Sequence, residues 1–114
     1  MTRIYKILTR AEWDVAKARG AFEGSAVDLA DGYIHFSAAD QAMETARKHF
    51  AGQAGLVVLT LEAETLGPAL KWEPSRGGAL FPHLYAPLPV DRVVAERDAP
   101  LGPDGVPDLG DLST

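Results

Sequence analysis

Residues 71–88, KWEPSRGGALFPHLYAPL, decide how the second half of this chain folds. The polar middle of this stretch lies between two apolar, strand-like segments, and residues 69–73 are predicted to form the first strand, which ends at Glu73. Pro74 lacks the N–H group that a position inside a β-ladder uses, so the chain is predicted to turn at PSRGG. The return segment supplies apolar side chains that are predicted to enter the core, namely Leu80, Phe81, Leu84 and Leu88.

The same turn carries residue types that bind anions. The consecutive glycines Gly77 and Gly78 permit positive φ angles, and backbone N–H groups in such turns form nests for anions. Arg76 can add a bidentate hydrogen-bonding group, which suits a phosphate or a carboxylate, and Ser75 adds a hydroxyl beside it. A hairpin tip with an exposed arginine is the structural alternative. Trp72 is interpreted first as a core residue.

Residues 31–37, DGYIHFS, form a second polar stretch with strand-like spacing. If the segment is a strand, Tyr33, His35 and Ser37 share one face, while Ile34 and Phe36 point to the core. His35 then faces either solvent or a cleft, and His83 and Tyr85 share a face in the same way further along the chain. Both of the latter residues can also be structural, since such side chains often bury their rings and hydrogen-bond their tips. Asp28 and Asp31 are interpreted as turn formers rather than metal ligands.

The remaining sequence predicts an α+β fold with two helices packed on a mostly antiparallel sheet. Strands are predicted at residues 3–8, 56–62 and 91–98, and residues 20–32 are predicted to be an irregular connection. Thr9 and Glu12 form a capping-box pattern for a helix over 10–19 that stops at Gly20. Ser37 and Asp40 repeat the pattern for a second helix that ends at Gly52, with an apolar face of Ala39, Ala42, Met43, Ala46 and Phe50. One domain is expected over residues 1–98, followed by a weakly ordered, Pro-, Gly- and Asp-rich tail over 99–114.

Composition excludes several classes of protein and site. The chain has 114 residues, no cysteine and a net charge of −5, so disulfides and thiolate sites are excluded and general nucleic-acid binding is disfavoured. The sequence has neither an apolar run long enough for a membrane helix nor a signal-peptide pattern, and a cytoplasmic location is expected. It also lacks the HxH, HExxH and GxSxG motifs, so no metal site is predicted and a serine hydrolase is not supported. The oligomeric state stays open.

The ordered motifs carry a resemblance to a known family. The run IYKI … W … GAFEGSxxDxxDGYIHFS … QxxxTA … LKWEPSRGGALFPHLYAPL resembles the DUF952 family of small bacterial proteins over residues 3–97. This resemblance implies an ADP-ribosyltransferase-like fold, a split sheet around a cleft that binds NAD in better-known relatives. It further implies that His35 fixes a ribose or phosphate and that Tyr85 or Trp72 stacks on a ring. Glu73 is the candidate carboxylate, although it lies earlier in the chain than the relatives' late glutamate, and Glu96 is a later one.

Two hypotheses about function follow, and a third is weaker. In the first, a polar cleft binds NAD or another nucleotide-like, phosphate-bearing small molecule and transfers an ADP-ribosyl-type group, with no further cofactor. His35 and Glu73 are then the catalytic candidates, and the ligand-binding candidates are Ser37, Trp72, Ser75, Arg76, Gly77, Gly78, His83 and Tyr85. In the second, the polar cluster is a buried structural network in a non-catalytic structural or interaction module. A toxin or effector fits the fold class but is supported by neither a secretion signal nor a disulfide.

Overall fold

The computed structural model describes residues 2–75 and 77–112. This part of the chain contains three α-helices, nine β-strands and two 3₁₀ segments. In chain order they are β1 (Arg3–Thr9), α1 (Arg10–Arg19), β2 (Ala21–Phe22), α2 (Ala26–Asp31), β3 (Ile34–His35), β4 (Ser37–Ala38), α3 (Ala39–His49), β5 (Leu56–Glu62), a 3₁₀ segment (Ala63–Ala69), β6 (Leu70–Ser75), β7 (Ala79–Leu84), β8 (Leu88–Pro89), a 3₁₀ segment (Val90–Arg92) and β9 (Val93–Ala99).

The strands form three sheets, and every strand pair in the described residues is antiparallel. The largest sheet has the order β4-β1-β5-β9, a second sheet pairs β2 with β8, and a third has the order β3-β7-β6. The predicted α+β class with mostly antiparallel strands is therefore confirmed. Among the residues described, no helix is long and apolar enough to span a membrane.

The core lies on both faces of the largest sheet, because alternate residues of β1 and β5 point to opposite sides. One face packs against α1 and the three-stranded sheet through a cluster that includes Ile4, Leu8, Trp13, Phe22, Ile34, Phe36, Leu59 and Leu84. The other face packs against α3 and the segment after β9 through Tyr5, Ile7, Ala42, Ala46, Val58 and Leu109. Ile34 and Phe36 are both core residues, as the spacing of the second polar stretch predicts.

Helix α1 begins and ends where its sequence signals predict. The Thr9 hydroxyl accepts a hydrogen bond from the Glu12 N–H at 3.0 Å, and the Glu12 carboxylate accepts one from the Thr9 N–H at 3.0 Å. Gly20 then adopts φ 87°, and its N–H donates to the Ala16 carbonyl. Both ends are therefore set by local contacts.

The connection predicted over residues 20–32 is wrong, because it contains β2 and α2. Asp28 accepts a hydrogen bond from the Ser25 N–H at 2.9 Å, and Gly32 ends the helix with φ 88°. The short helix was missed because its capping residues lie among glycines that also favour turns. The structure therefore has three helices in the described residues rather than two.

The predicted start, end and apolar face of the second helix also need correction. The helix, α3, begins after Ala38, whose N–H donates to Gln41 Oε1 at 3.0 Å, whereas the Ser37 hydroxyl bonds to the Thr45 hydroxyl at 2.9 Å. It ends at His49 rather than running to Gly52. Ala42 and Ala46 are buried, but Met43 and Ala39 are exposed, because only a narrow part of the helix contacts the sheet.

Strands β6 and β7 form the hairpin that the opening stretch predicts, with two differences. The first strand continues past Glu73 through Pro74 to Ser75, which is tolerated because β6 lies at the edge of its sheet. The turn follows at Gly77 and Gly78, with φ angles of 76° and 91°. Leu80 is exposed rather than part of the core, because the hairpin extends beyond it.

The segment after β9 lies against the second face of the large sheet. Leu109 is fully buried there, and the Tyr5 hydroxyl donates to the Leu112 carbonyl at 2.9 Å. The proposed division into residues 1–98 and 99–114, and the weak order of the second part, stay predictions.

Candidate functional site

One face of the three-stranded sheet carries most of the predicted site. In the register of the strands, His83 of β7 lies opposite His35 of β3 on one side and opposite Lys71 of β6 on the other. Glu73 is two residues from Lys71 and therefore shares this face. Ile34 and Leu84 point the other way, into the core. The polar side chains are thus held by strands whose opposite face is buried.

Five side chains form what we call the histidine–tyrosine cluster: Tyr33, His35, Glu73, His83 and Tyr85. The Tyr33 ring stacks on His83, with centroids 4.1 Å apart and an angle of 23° between the ring planes. It also contacts His35 at 4.7 Å and Tyr85 at 5.2 Å in tilted arrangements. His35 and His83 meet edge to face at 5.5 Å. The four rings therefore form one packed group centred on Tyr33, in which His83 is buried and the other three rings are partly exposed.

The carboxylate of Glu73 lies at the exposed end of the cluster. Its Oε1 accepts a hydrogen bond from the Tyr85 hydroxyl at 2.7 Å and lies 2.9 Å from His83 Nδ1. The bond from Tyr85, followed by that from His83, lowers the pKa of Glu73, and the same contact raises the pKa of Tyr85 to about 12. Glu73 is therefore ionised at neutral pH, and its side chain is 34% exposed. Within the described residues, both of these hydrogen bonds end on Oε1.

His35 lies at the other end of the cluster, between two aspartates. Its Nδ1 is 2.6 Å from Asp28 Oδ1, and its Nε2 is 2.9 Å from Asp31 Oδ2. The doubly protonated ring is the form that donates to both carboxylates at once. The ring is 31% exposed and is held from two sides, so its orientation is fixed while one edge stays accessible.

Asp28 connects His35 to a buried lysine. Lys6 Nζ lies 2.9 Å and 3.1 Å from the two Asp28 oxygens, and the N–H groups of Ser25 and His35 donate to the same carboxylate. Burial alone would raise the pKa of Asp28, but the hydrogen bond from His35 and the charge of Lys6 outweigh it and hold that pKa well below its usual range. Burial lowers the pKa of Lys6 despite the adjacent Asp28. We call these three residues the Lys6–Asp28–His35 network.

The structure brings together four of the predicted site residues: His35, Glu73, His83 and Tyr85. Ser37 lies elsewhere, because the chain enters β4 after Phe36, and the buried Ser37 hydroxyl faces Thr45 on α3. It therefore does not share a surface with His35 as the strand spacing predicted.

Trp72 is separate from the cluster. It points to the face of β6 opposite Glu73 and is 40% exposed, so neither the core interpretation nor a place beside Glu73 fits its position. Ser75, Gly77 and Gly78 lie at the hairpin turn, where the Gly78 N–H donates to the Ser75 carbonyl at 3.1 Å. Arg76 lies outside the described residues.

The later glutamate, Glu96, lies on β9 in the large sheet. It accepts a hydrogen bond from the Trp13 indole at 2.6 Å and pairs with Arg10 and Lys17. These contacts join β9 to α1 and place the Glu96 carboxylate outside the histidine–tyrosine cluster. In the described residues, no group of three or more histidine, aspartate or glutamate side chains has the arrangement of a metal site.

The sequence reasoning missed the residues that hold His35 in place. Asp28 and Asp31 were interpreted as turn formers, but both contact the histidine ring. A signal was present in β1, where Lys6 falls between Ile4 and Leu8 on the face that points to the core. A lysine in such a position needs a buried carboxylate, because an unpaired charge is too costly to bury.

A small pocket opens beside the cluster rather than over it. Its volume is about 160 Å³, and it is lined by Glu23, Asp28, Leu29, Gly32, Tyr33, Ile34, Leu84 and Ala86. Tyr33 belongs to both the pocket and the cluster. A second cleft of about 210 Å³ lies between β1, β5, β9 and residues 111–112, and the only predicted candidate among its lining residues is Glu96.

Comparison with known proteins agrees with this architecture. The chain is similar to protein CC0527 from Caulobacter crescentus, whose crystal structure has 69% sequence identity and a TM-score of 0.91, with 93% of each chain covered. A solution structure of the same protein gives a TM-score of 0.87 at 69% identity and covers 96% of this chain and 95% of that one. No curated protein matches the sequence. The family described as "Protein of unknown function (DUF952)" matches residues 7–96, and the chain therefore belongs to the DUF952 family.

Proposed function

We propose that this protein binds a nucleotide-like, phosphate-bearing small molecule across the histidine–tyrosine cluster, with NAD as the candidate substrate. The observation that carries the proposal is the convergence of an ionised, partly exposed Glu73 with a group of four packed rings, of which Tyr33, His35 and Tyr85 reach the surface. Aromatic rings stack on planar bases, and a carboxylate accepts hydrogen bonds from ribose hydroxyl groups. An ADP-ribosyltransferase-like fold, as the family resemblance implies, is part of the same proposal.

Glu73 is assigned the role of the carboxylate that contacts the ribose. Tyr85 and His83 hold its Oε1, so its orientation is fixed before a ligand arrives and Oε2 can accept a ribose hydroxyl. A fixed negative charge also stabilises an oxocarbenium-like ribose, which carries positive charge at C1′. This role requires the ionised form, which the lowered pKa of Glu73 favours.

His35 is assigned to hold the ligand from the other side of the cluster. Asp28 and Asp31 occupy its two ring nitrogens, and a phosphate oxygen is proposed to replace Asp31, whose side chain is the more exposed of the two, at Nε2. The hairpin turn is the proposed contact for the phosphate groups, since Gly77 and Gly78 allow close approach of backbone N–H groups to an anion. Arg76 is proposed from the sequence to add its guanidinium there.

The proposed reaction is transfer of an ADP-ribosyl-type group. The bond between ribose C1′ and the nicotinamide nitrogen breaks, and neutral nicotinamide leaves with the bonding electrons. An acceptor then forms a bond to C1′ and loses its proton to a base, a role that we assign to Glu73. No further cofactor enters this reaction.

Binding is tested by titrating ¹⁵N-labelled protein with NAD, ADP-ribose and AMP and following the amide resonances. We expect shifts concentrated at Tyr33, His35 and Gly77. Glu73→Gln should weaken the binding of NAD roughly tenfold, because a neutral amide accepts a weaker hydrogen bond than a carboxylate. Glu44→Gln, on the exposed surface of α3, is the matched control and should bind as the wild type does. An absence of shifts at millimolar ligand would contradict the proposal.

Catalysis is tested separately by incubating the protein with NAD and measuring released nicotinamide by chromatography. Release that disappears in Glu73→Gln supports transfer or hydrolysis at C1′. Binding without release would reduce the proposal to a ligand-binding role.

A structural role is the second candidate, and one observation favours it for part of the site. The Lys6–Asp28 pair is buried, and Asp28 has five hydrogen bonds from three residues, as expected of an internal network rather than a ligand surface. This burial is limited to one end of the site, since His35 contacts Asp28 and Asp31, whereas Glu73 contacts His83 and is 34% exposed. If no ligand binds and substitutions at both ends lower stability alone, this candidate replaces the first.

A further inference from the structure

The pocket beside Tyr33 has the size and the lining to take one flat ring. Its volume of about 160 Å³ is roughly half of the smallest pockets that hold drug-sized ligands, which are about 300 Å³. A complete nucleotide therefore does not fit, but a single heteroaromatic ring does. Its lining is mixed, since Leu29, Ile34 and Leu84 are apolar while Glu23 and Asp28 carry carboxylates.

Tyr33 connects this pocket to the histidine–tyrosine cluster. Its ring stacks on His83 at 4.1 Å, and Tyr33 is also one of the residues that line the pocket. A ligand whose ring entered the pocket would therefore have its attached sugar close to the cluster. Leu29 and Ala86 form the exposed rim, so the pocket is reached from solvent.

Two carboxylates line the pocket, and they differ in what they can accept. Asp28 already receives hydrogen bonds from Lys6, Ser25 and His35, so its oxygens are occupied. Glu23 is exposed at the rim and lies in the pocket lining without such a set of partners in the described residues. The pocket therefore offers a carboxylate acceptor to a ligand that brings an N–H donor.

We propose that this pocket binds a planar heteroaromatic ring with an exocyclic N–H donor, and that Glu23 selects for that donor. Adenine and nicotinamide both have this chemistry. The inference rests on the proposed function, because it assigns the ring of the same ligand whose sugar contacts the cluster.

Selection by Glu23 is tested by comparing AMP with purine riboside 5′-monophosphate, which lacks the exocyclic amine. The wild type should bind AMP about fivefold more tightly, as the loss of one hydrogen bond predicts. Glu23→Ala should lower AMP affinity to that of the purine riboside compound and leave the latter unchanged. If Glu23→Ala prefers AMP over purine riboside 5′-monophosphate as strongly as the wild type does, the role of Glu23 is overturned. Nicotinamide mononucleotide, titrated in parallel, decides which of the two rings is preferred.

Ring binding is tested by filling the pocket from its rim with Ala86→Trp. We expect roughly tenfold or weaker AMP binding, while ribose 5-phosphate, which has no ring to insert, binds as before. Ala18→Trp, on the exposed side of α1, is the matched control. If AMP binds Ala86→Trp as tightly as wild type, the pocket is not the ring site, although the proposed function stands. If the wild type binds no nucleotide, both proposals fall.

Discussion

Each end of the site has a histidine in contact with a carboxylate, but the two pairs lie in different surroundings. At one end, His35 contacts Asp28, whose carboxylate is 2% exposed and is neutralised by a buried lysine. At the other end, His83 contacts Glu73, whose carboxylate is 34% exposed and is held by a tyrosine. Both oxygens of the first carboxylate accept hydrogen bonds, whereas the bonds that the described residues make to the second end on one oxygen, Oε1. The same histidine–carboxylate contact is therefore consistent with a structural role where the carboxylate is buried and with a ligand-binding role where it is exposed.

The largest expected effect comes from breaking the buried end. Lys6→Met leaves the Asp28 charge buried without its cation, and we expect a loss of about 3–5 kcal/mol in the free energy of unfolding. Urea denaturation measures this loss. The double variant Lys6→Met/Asp28→Asn removes both charges and should recover most of it. If Lys6→Met is as stable as wild type, the network contributes nothing to the fold.

The next largest effect is the loss of stability at acid pH, which tests the buried end of the site through Asp28. The pKa of Asp28 is lower in the folded state than the unfolded value of about 3.9, so its stabilising contribution is complete above that value. The contribution is lost as the pH falls from about 4 through the folded-state pKa, at about 1.4 kcal/mol for each unit of difference. The wild type should therefore lose more stability than Lys6→Met/Asp28→Asn in urea unfolding below pH 4. Parallel curves for the two proteins would contradict this assignment.

Substitution at the exposed end is expected to affect ligand binding rather than folding. Glu73→Gln removes a charge that faces solvent, so its urea midpoint should stay close to that of the wild type. Glu73→Gln should weaken NAD binding. Tyr85→Phe should also weaken it, but less strongly, because His83 still holds Glu73. Calorimetric titration with NAD measures both variants. A large drop in the free energy of unfolding of Glu73→Gln would show that Glu73, like Asp28, has a structural role.

The smallest effect is spectroscopic. Tyr85 should lose its proton near pH 12, later than an ordinary tyrosine near pH 10, because the tyrosinate would lie against Glu73. In Glu73→Gln the titration of Tyr85 should return towards the ordinary value. The ring carbon shifts of ¹³C-labelled tyrosine follow this directly, with Tyr85→Phe used to assign the resonance. An unchanged titration in Glu73→Gln would mean that another group perturbs Tyr85.

Local patterns in the sequence predicted much of the fold. The capping box of α1, the apolar run of β5 and the glycine turn of the β6–β7 hairpin each depend on neighbours within a few residues. Helix α2 was missed because its caps lie among turn-forming residues. The position of the segment after β9 could not be predicted from local patterns, since the burial of Leu109 depends on strands far away in the chain.

The candidate site was predicted only in part, because spacing identifies residues within one segment but not the contacts between segments. His35, His83 and Tyr85 were identified from spacing within their own segments, and the antiparallel register brings His35 opposite His83. Ser37 was misplaced because the strand ends at His35, so period-two alternation no longer applies to it. Trp72 was misjudged because burial depends on how far the hairpin extends past the core.

The sequence by itself determined the α+β class, the family, and the residue types concentrated in the two polar stretches, because these depend on composition and short-range order. Only the tertiary structure decided which of those residues meet. Asp28 joins Lys6 across 22 positions, and Glu73 joins His83 and Tyr85 across the hairpin. Such contacts depend on strand register and on the cost of burying charge, and both are settled by the packing of distant segments.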